Sequence, residues 1–213
     1  MKTVIIGSSG HAKVIVDILR QASQDELVGC TTIDATCQDV LGLPVLGDDS
    51  ILPRLLREGV GQAFVAIGDN RSRARIAQRM EGLGFALINA VHPSAVIAPS
   101  VKLGKGIAIM AGAIINPDTV IGDNAIVNTG TTIDHDCVIG ANCHLAPGTH
   151  VAGNVTIGAG AFLGVGCTVI PKMAIGEWCI LGAGATVVMD VPSCVLAVGV
   201  PAQVRKKLPQ ERS

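Results

Sequence analysis

Tyrosine is absent from this chain of 213 residues, and three phenylalanines and one tryptophan bring its aromatic content to only 2%. A core so poor in rings is a narrow one, filled by aliphatic side chains. Charge is scarce too, with Asp, Glu, Lys and Arg at 15% and a net charge of −1. That balance supplies no basic field for nucleic acid and no polybasic arm for a membrane surface, so small molecules and other protein chains are the expected partners. No CxxC pair and no zinc-type Cys/His spacing occurs among the seven cysteines, and their odd number argues against a disulfide framework. Free thiols fit a reducing cytoplasm. Long apolar runs are missing as well. Glycine, polar or charged residues interrupt each one, and the run at 4–6 is too short for a signal peptide, so neither a membrane span nor a secretory leader is expected.

What is present divides into two halves with different periods. Residues 1–91 alternate short apolar strands with amphipathic helices: strands near 3–6, 27–33, 64–67 and 86–90, and helices near 11–21, 51–58 and 71–81. This pattern predicts a small parallel α/β domain of Rossmann type. The turn Gly7-Ser8-Ser9-Gly10 between the first strand and helix has the small residues of an anion-cradling turn, although it lacks a full GxGxxG.

From residue 92 to 213 the grammar is hexameric. Every sixth residue from Ile97 through Leu103, Ile109, Ile115 and onward to Val187 is Ile, Leu or Val, sixteen in succession. With about half the chain hydrophobic, chance gives such a run on the order of 1 time in 100,000. The residue two places earlier is usually small, and Cys137, Cys143, Cys167 and Cys179 fall in that inward register. Glycine often follows the aliphatic residue, as at Gly122, Gly140 and Gly164, which suggests sharp bends that need glycine's conformational freedom. Three hexads make one triangular coil of about 18 residues, and stacked coils bury a thin aliphatic column. The second domain is therefore predicted to be a parallel β-helix, and its thin core explains the missing aromatics.

With these motifs in view the chain resembles the hexapeptide-repeat (left-handed β-helix) acyltransferases. It is most similar to the sugar acetyltransferases with an N-terminal α/β nucleotide-sugar domain, the GDP-perosamine and UDP-4-amino-sugar N-acetyltransferases. The resemblance is carried by Gly7-Ser8-Ser9-Gly10-His11-Ala12-Lys13, Ile67-Gly68-Asp69-Asn70 with Arg73, His92-Pro93-Ser94-Ala95, Asn128-Thr129-Gly130, Asp134-His135-Asp136-Cys137 and Gly199-Val200-Pro201-Ala202. It implies a cytoplasmic homotrimer that uses acetyl-coenzyme A, without a metal, to acetylate the 4-amino group of a nucleotide-linked 4-amino-4,6-dideoxy sugar. O-acetylation of a sialic-acid-type sugar and a non-catalytic β-helix binding protein are the alternatives. The nucleotide is left open among GDP, UDP and dTDP.

Acetyl transfer from a thioester to an amine needs a base and a donor for the developing oxyanion. His135 is the best base, since an imidazole titrates near neutrality, Asp134 and Asp136 flank it, and it is expected to face outward with Asp136 next to it at a bend. The resemblance gives Asp136 the task of orienting it. His144 lies nine residues on, half a coil, so the two imidazoles belong to different sides of the prism. If both serve one reaction, as the resemblance suggests, they meet across a subunit boundary. Asn128 matches a family position near the acceptor amine, with a hydrogen bond at the bend as its structural alternative. Gly153, Val165 and Ala183 match backbone positions where coenzyme A lies between neighbouring β-helices, with ordinary coil geometry as the alternative. No serine or cysteine of the β-helix has an adjacent base in a nucleophile setting, and four of the cysteines fall in the inward register, so direct transfer is expected. Arg205, Lys206 and Lys207 read as a solvated basic tail, with a coenzyme A phosphate as the other reading. In the first domain Gly10, His11, Lys13, Asp34, Asp69, Asn70 and Arg73 gather at the C-terminal strand ends, the ligand-binding edge of such folds. His92 and His150 read as structural.

Overall fold

The computed structural model describes residues 1–22, 26–34 and 36–209. They form two compact units, Met1–Pro93 and Ser94–Ser213. The first unit is built on β1 (Lys2–Ile6), a nearly unbroken apolar strand whose Val4, Ile5 and Ile6 are buried because the sheet is covered on both sides. Around it stand β2 (Glu26–Thr31), β3 (Asp39–Val40), β4 (Leu43–Gly47), β5 (Gln62–Val65) and β6 (Ala86–Leu87), in the order β3-β4-β2-β1-β5-β6. All pairs are parallel except the β3–β4 hairpin. Helix α1 (Gly10–Ala22) buries Ala12, Ile15, Val16, Ile18 and Leu19, the spacing of one helical face. Helix α2 (Leu52–Arg57) contributes Leu52 and Leu55 to a core shared with Ala77 and Met80 of α3 (Asn70–Leu83). Gly84 closes α3 in the left-handed conformation, φ 103°.

Two expectations shift here. The second strand ends at Thr31 rather than 33, and the third lies at Gln62–Val65 rather than 64–67. The edge hairpin has no counterpart in the sequence pattern. Its turn puts Leu41 (φ 52°) and Gly42 (φ 74°) in left-handed geometry, and leucine at the first position hides a turn that Asn or Asp would announce.

The second unit is a triangular parallel β-helix. Ile114 pairs with Thr132, Thr132 with His150 and His150 with Thr168, each eighteen residues on, and the same step joins Ile126, His144, Phe162 and Ile180 on another face. Val120, Val138, Thr156 and Ala174 run up the third. We call the His144 column the first face, the His150 column the second and the Val138 column the third. From Ile109 to Val187 every sixth aliphatic residue is buried, and Ile97 and Leu103 of the first coil are half-buried.

The glycines after the aliphatic positions serve a different purpose from the one the sequence suggested. They keep ordinary φ; a Cβ on Gly140 would stand 2.5 Å from the Ala159 nitrogen of the next coil, so they permit close stacking of the coils. The left-handed corners lie two residues later, where Asn124, Asp136, Asn142 and Asn154 alternate with Gly. Residues 205–207 also differ from the expected tail. Gln203–Lys207 is a strand antiparallel to Val195–Val198, which extends the first face.

Candidate active site

The corner between the second and third faces repeats along the prism as Pro117, His135, Gly153 and Pro171. Backbone bonds from Asp136, Asn154 and Lys172 to the residue below tie these levels together. Asp136 occupies the left-handed position, φ 57°, which suits its short polar side chain and turns the carboxylate back on its neighbour. Its Oδ2 lies 2.7 Å from His135 Nδ1, and both side chains are 53% exposed. A carboxylate only accepts, so Nδ1 carries the proton and Nε2 presents a lone pair. That bond, helped by the nearby charges of Asp134 and Asp136, raises the His135 pKa above the ordinary imidazole value. Asp134 anchors the backbone: its Oδ1 accepts from the His135 N–H at 2.8 Å and from Asn116 Nδ2 at 2.9 Å. Those two bonds hold its carboxyl below the usual range. The buried Thr119 hydroxyl donates to the Asp134 carbonyl at 2.9 Å and fixes the same turn from inside.

Gly153 lies directly against the imidazole. A Cβ there would stand 2.7 Å from His135 Nε2 and 2.8 Å from Cε1. Its N–H meets no acceptor among the described residues. Beside this corner the second face carries a groove of about 270 Å³ lined by Asn116, Thr132, Asp134, His150 and Thr168. His150, read from sequence as structural, is exposed on this outer surface with Nδ1 2.9 Å from Thr132 Oγ1. Strand alternation was the available signal: beside inward Val151, His150 must point outward.

His144 stands half-buried on the first face, edge-on to Phe162 with ring centroids 5.2 Å apart and planes at 87°. Asn128 Nδ2 is 3.1 Å from its Nε2, so Asn128 engages the second histidine. Of the coenzyme A candidates, Gly153 shares a corner with His135. Val165 and Ala183 lie at the corner between the first and second faces, stacked by the bond from Gly184 N–H to the Val165 carbonyl, and both are exposed. One chain therefore divides the predicted residues between two corners and a face.

In the first unit three turns meet at the C-terminal ends of β2, β1 and β5. The Gly7 N–H donates to the Thr31 carbonyl at 2.9 Å, the Ser8 hydroxyl bonds Thr32 Oγ1 at 2.7 Å, and the bare Cα of Gly7 (φ 114°) faces the Ala66 carbonyl. Gly10 and His11 open α1 at this edge, and Lys13 is exposed one turn in. Asp34 lines a hollow of about 420 Å³ with Thr32, Cys37, Gln38 and Gly47. Its Oδ1 accepts from the Thr36 hydroxyl and N–H, which lowers its pKa. Asp69 caps α3 through the Ser72 N–H, and this bond lowers its pKa. Asn70 and Arg73 are buried, and the Arg73 guanidinium donates to the Ile67 and Gly68 carbonyls and to Asn70 Oδ1 at 3.1, 3.0 and 2.8 Å. These two residues shape the turn from beneath.

Residues 2–80 match the PglD N-terminal domain family, and residues 136–171 match the bacterial transferase hexapeptide family (six repeats). A perosamine N-acetyltransferase variant from Caulobacter crescentus, solved in complex with CoA and GDP-perosamine, is 50% identical. It superposes with a TM-score of 0.93 over 97% of this chain and 98% of that one. The chain belongs to the hexapeptide-repeat sugar N-acetyltransferases. The acetyltransferase domain of PglB from Neisseria gonorrhoeae, in complex with acetyl coenzyme A, is 34% identical with a TM-score of 0.90, over 96% and 98% of the two chains. UDP-N-acetylbacillosamine N-acetyltransferase from Bacillus subtilis is 37% identical over 118 residues, and the match spans 52% of each chain, about half that relative's length.

Within this acetyltransferase the inward cysteines are buried. Burial pushes Cys167 and Cys179 up to about 12 and also raises Cys137. Among the described residues no group of three or more His, Cys, Asp and Glu could hold a metal, and no helix is long and apolar enough to cross a membrane.

Proposed function

We propose that this chain transfers the acetyl group of acetyl-coenzyme A to the 4-amino group of a nucleotide-linked 4-amino-4,6-dideoxy sugar. The observation that carries the reading is the exposed Asp136–His135 pair with its Nε2 lone pair beside Gly153. The neutral amine attacks the thioester carbonyl and His135 Nε2 takes the proton released as the C–N bond forms. The unpartnered Gly153 N–H is the donor for the developing oxyanion. Collapse breaks the C–S bond, and the proton held on His135 passes to the departing thiolate. Asp136 keeps the ring in the Nδ1–H tautomer and supports the imidazolium between these steps.

The separation of His135 and His144 on one prism supports a homotrimer whose sites lie between copies, with His144, Val165 and Ala183 brought by the neighbouring chain. Gly10, His11, Lys13 and Asp34 hold the nucleotide end of the substrate, beside the separate turn after β5 that Asp69, Asn70 and Arg73 shape. Both substrates are cytoplasmic metabolites, and that is where this reading puts the protein. The test is a panel of nucleotide-linked 4-amino sugars with acetyl-coenzyme A, following free thiol and the mass of the sugar product. N-acetylation of at least one member supports the reading, and transfer confined to hydroxyl acceptors refutes it.

A further inference from the structure

The first face holds a short hydrogen-bonded chain that determines where a proton sits. Thr129 N–H can only donate, and its partner at 2.8 Å is Asn128 Oδ1. This pins the carbonyl end of the amide and leaves Nδ2 as the atom 3.1 Å from His144 Nε2. Nδ2 is itself only a donor, so His144 Nε2 must accept with its lone pair, and the neutral ring carries its proton on Nδ1. Phe162 packs against the ring at 87° and opposes a flip that would exchange the two nitrogens.

The two imidazoles are thus pinned with opposite polarity. A carboxylate on Nδ1 of His135 forces its Nε2 to be an acceptor. An amide NH₂ on Nε2 of His144 forces its Nδ1 to be a donor. Amide formation from a thioester needs one group of each kind, a base for the amine proton and a donor for negative charge on oxygen. We propose that Asn128 is a positioning residue that holds His144 in its Nδ1–H tautomer, so that His144 serves the reaction as a hydrogen-bond donor and not as a second base. This rests on the acetyl-transfer reading above.

The test uses the whole protein labelled with nitrogen-15 at histidine, with His144 assigned by its loss in His144→Gln. The unaltered protein is expected to show a pyridine-type Nε2 and a pyrrole-type Nδ1 at His144. In Asn128→Ala the Nε2 signal moves toward the pyrrole type, and kcat falls by about 10-fold or more. KM for either substrate changes by less than about 3-fold. A generalised packing defect would not move the tautomer signature. A pyrrole-type Nε2 in the unaltered protein, or wild-type kcat in Asn128→Ala, overturns the proposal. Failure of the unaltered protein to acetylate any amine, with the pyridine-type Nε2 in place, overturns the reaction reading and with it the donor role of His144.

Discussion

Replacing Gly153 with alanine puts a methyl group where the His135 imidazole now lies. The added Cβ would stand 2.7 Å from Nε2 and 2.8 Å from Cε1. Comfortable contacts lie at about 3.5–4.0 Å, so the ring must retreat by roughly 1 Å. It can do so cheaply because the side chain is about half exposed. Gly153 has an ordinary backbone φ, so alanine fits without strain, and the loss of chain freedom in the unfolded state offsets some of the crowding, by about 0.4–1 kcal/mol. The fold should therefore stand while the base is misplaced. A displacement of that size costs on the order of 100-fold in rate, about 2.7 kcal/mol of transition-state stabilisation. The assay is steady-state thiol release beside a thermal melt: kcat should drop about 100-fold with Tm unchanged or slightly raised. Near-normal kcat would show that the imidazole tolerates the methyl group and would refute the reasoning. A large fall in Tm would mean that the glycine serves coil stacking instead.

Other outcomes follow from the same geometry. His135→Ala should lower kcat by about 100-fold or more with the oligomer intact, read by kinetics and sedimentation. Asp136→Asn should move the acidic limb of the pH–kcat/KM profile to lower pH. The Asp136 carboxylate raises the His135 pKa, and the base works only when deprotonated, so removing that charge lets it stay deprotonated at lower pH. Mixing inactive His135→Ala and His144→Ala subunits should restore part of the activity after subunit exchange, and no recovery in confirmed mixed oligomers counts against a shared site. Arg73→Met should strip the Ile67 and Gly68 carbonyls of a charged donor, costing about 1.5–3 kcal/mol per lost bond in denaturant unfolding. It should also raise KM for the nucleotide sugar more than KM for acetyl-coenzyme A.

The β-helix was legible because a thin triangular core accepts only one kind of residue at each inward position, so Ile109 through Val187 write the fold directly into a period of six. His135 was legible from its chemistry, an imidazole between two carboxylates; its exposure comes from the corner it occupies beyond the strand Thr132–Ile133, since strict alternation from inward Ile133 would have turned it inward. What the period could not convey is contact between levels of the prism. Gly153 and His135 are eighteen residues apart and touch only because the coils stack in register. The partnership of Asn128 and His144 spans sixteen residues and is equally invisible to a local pattern. In the first unit the sequence pattern placed Arg73 at the ligand-binding edge of the strands but could not show the burial of its guanidinium against the Ile67 and Gly68 carbonyls. The Leu41–Gly42 turn escaped because leucine fills a position where its own preference argues against a turn.

The arrangement of the second unit also bears on the proposed trimer, in which assembly and chemistry would be inseparable. A β-helix is rigid and convex, and each of its faces points away from the other two, so side chains on one prism cannot close around a reacting carbon. The base pair Asp136–His135 and the bare corner of Gly153 lie between the second and third faces. The Asn128–His144–Phe162 column lies on the first, and Val165 and Ala183 at its edge with the second. In the proposed trimer, packing a second prism alongside would turn these convex surfaces into a cleft. Such a cleft would have the proposed base on one wall and the proposed donor on the other, which is the polarity that amide formation from a thioester demands.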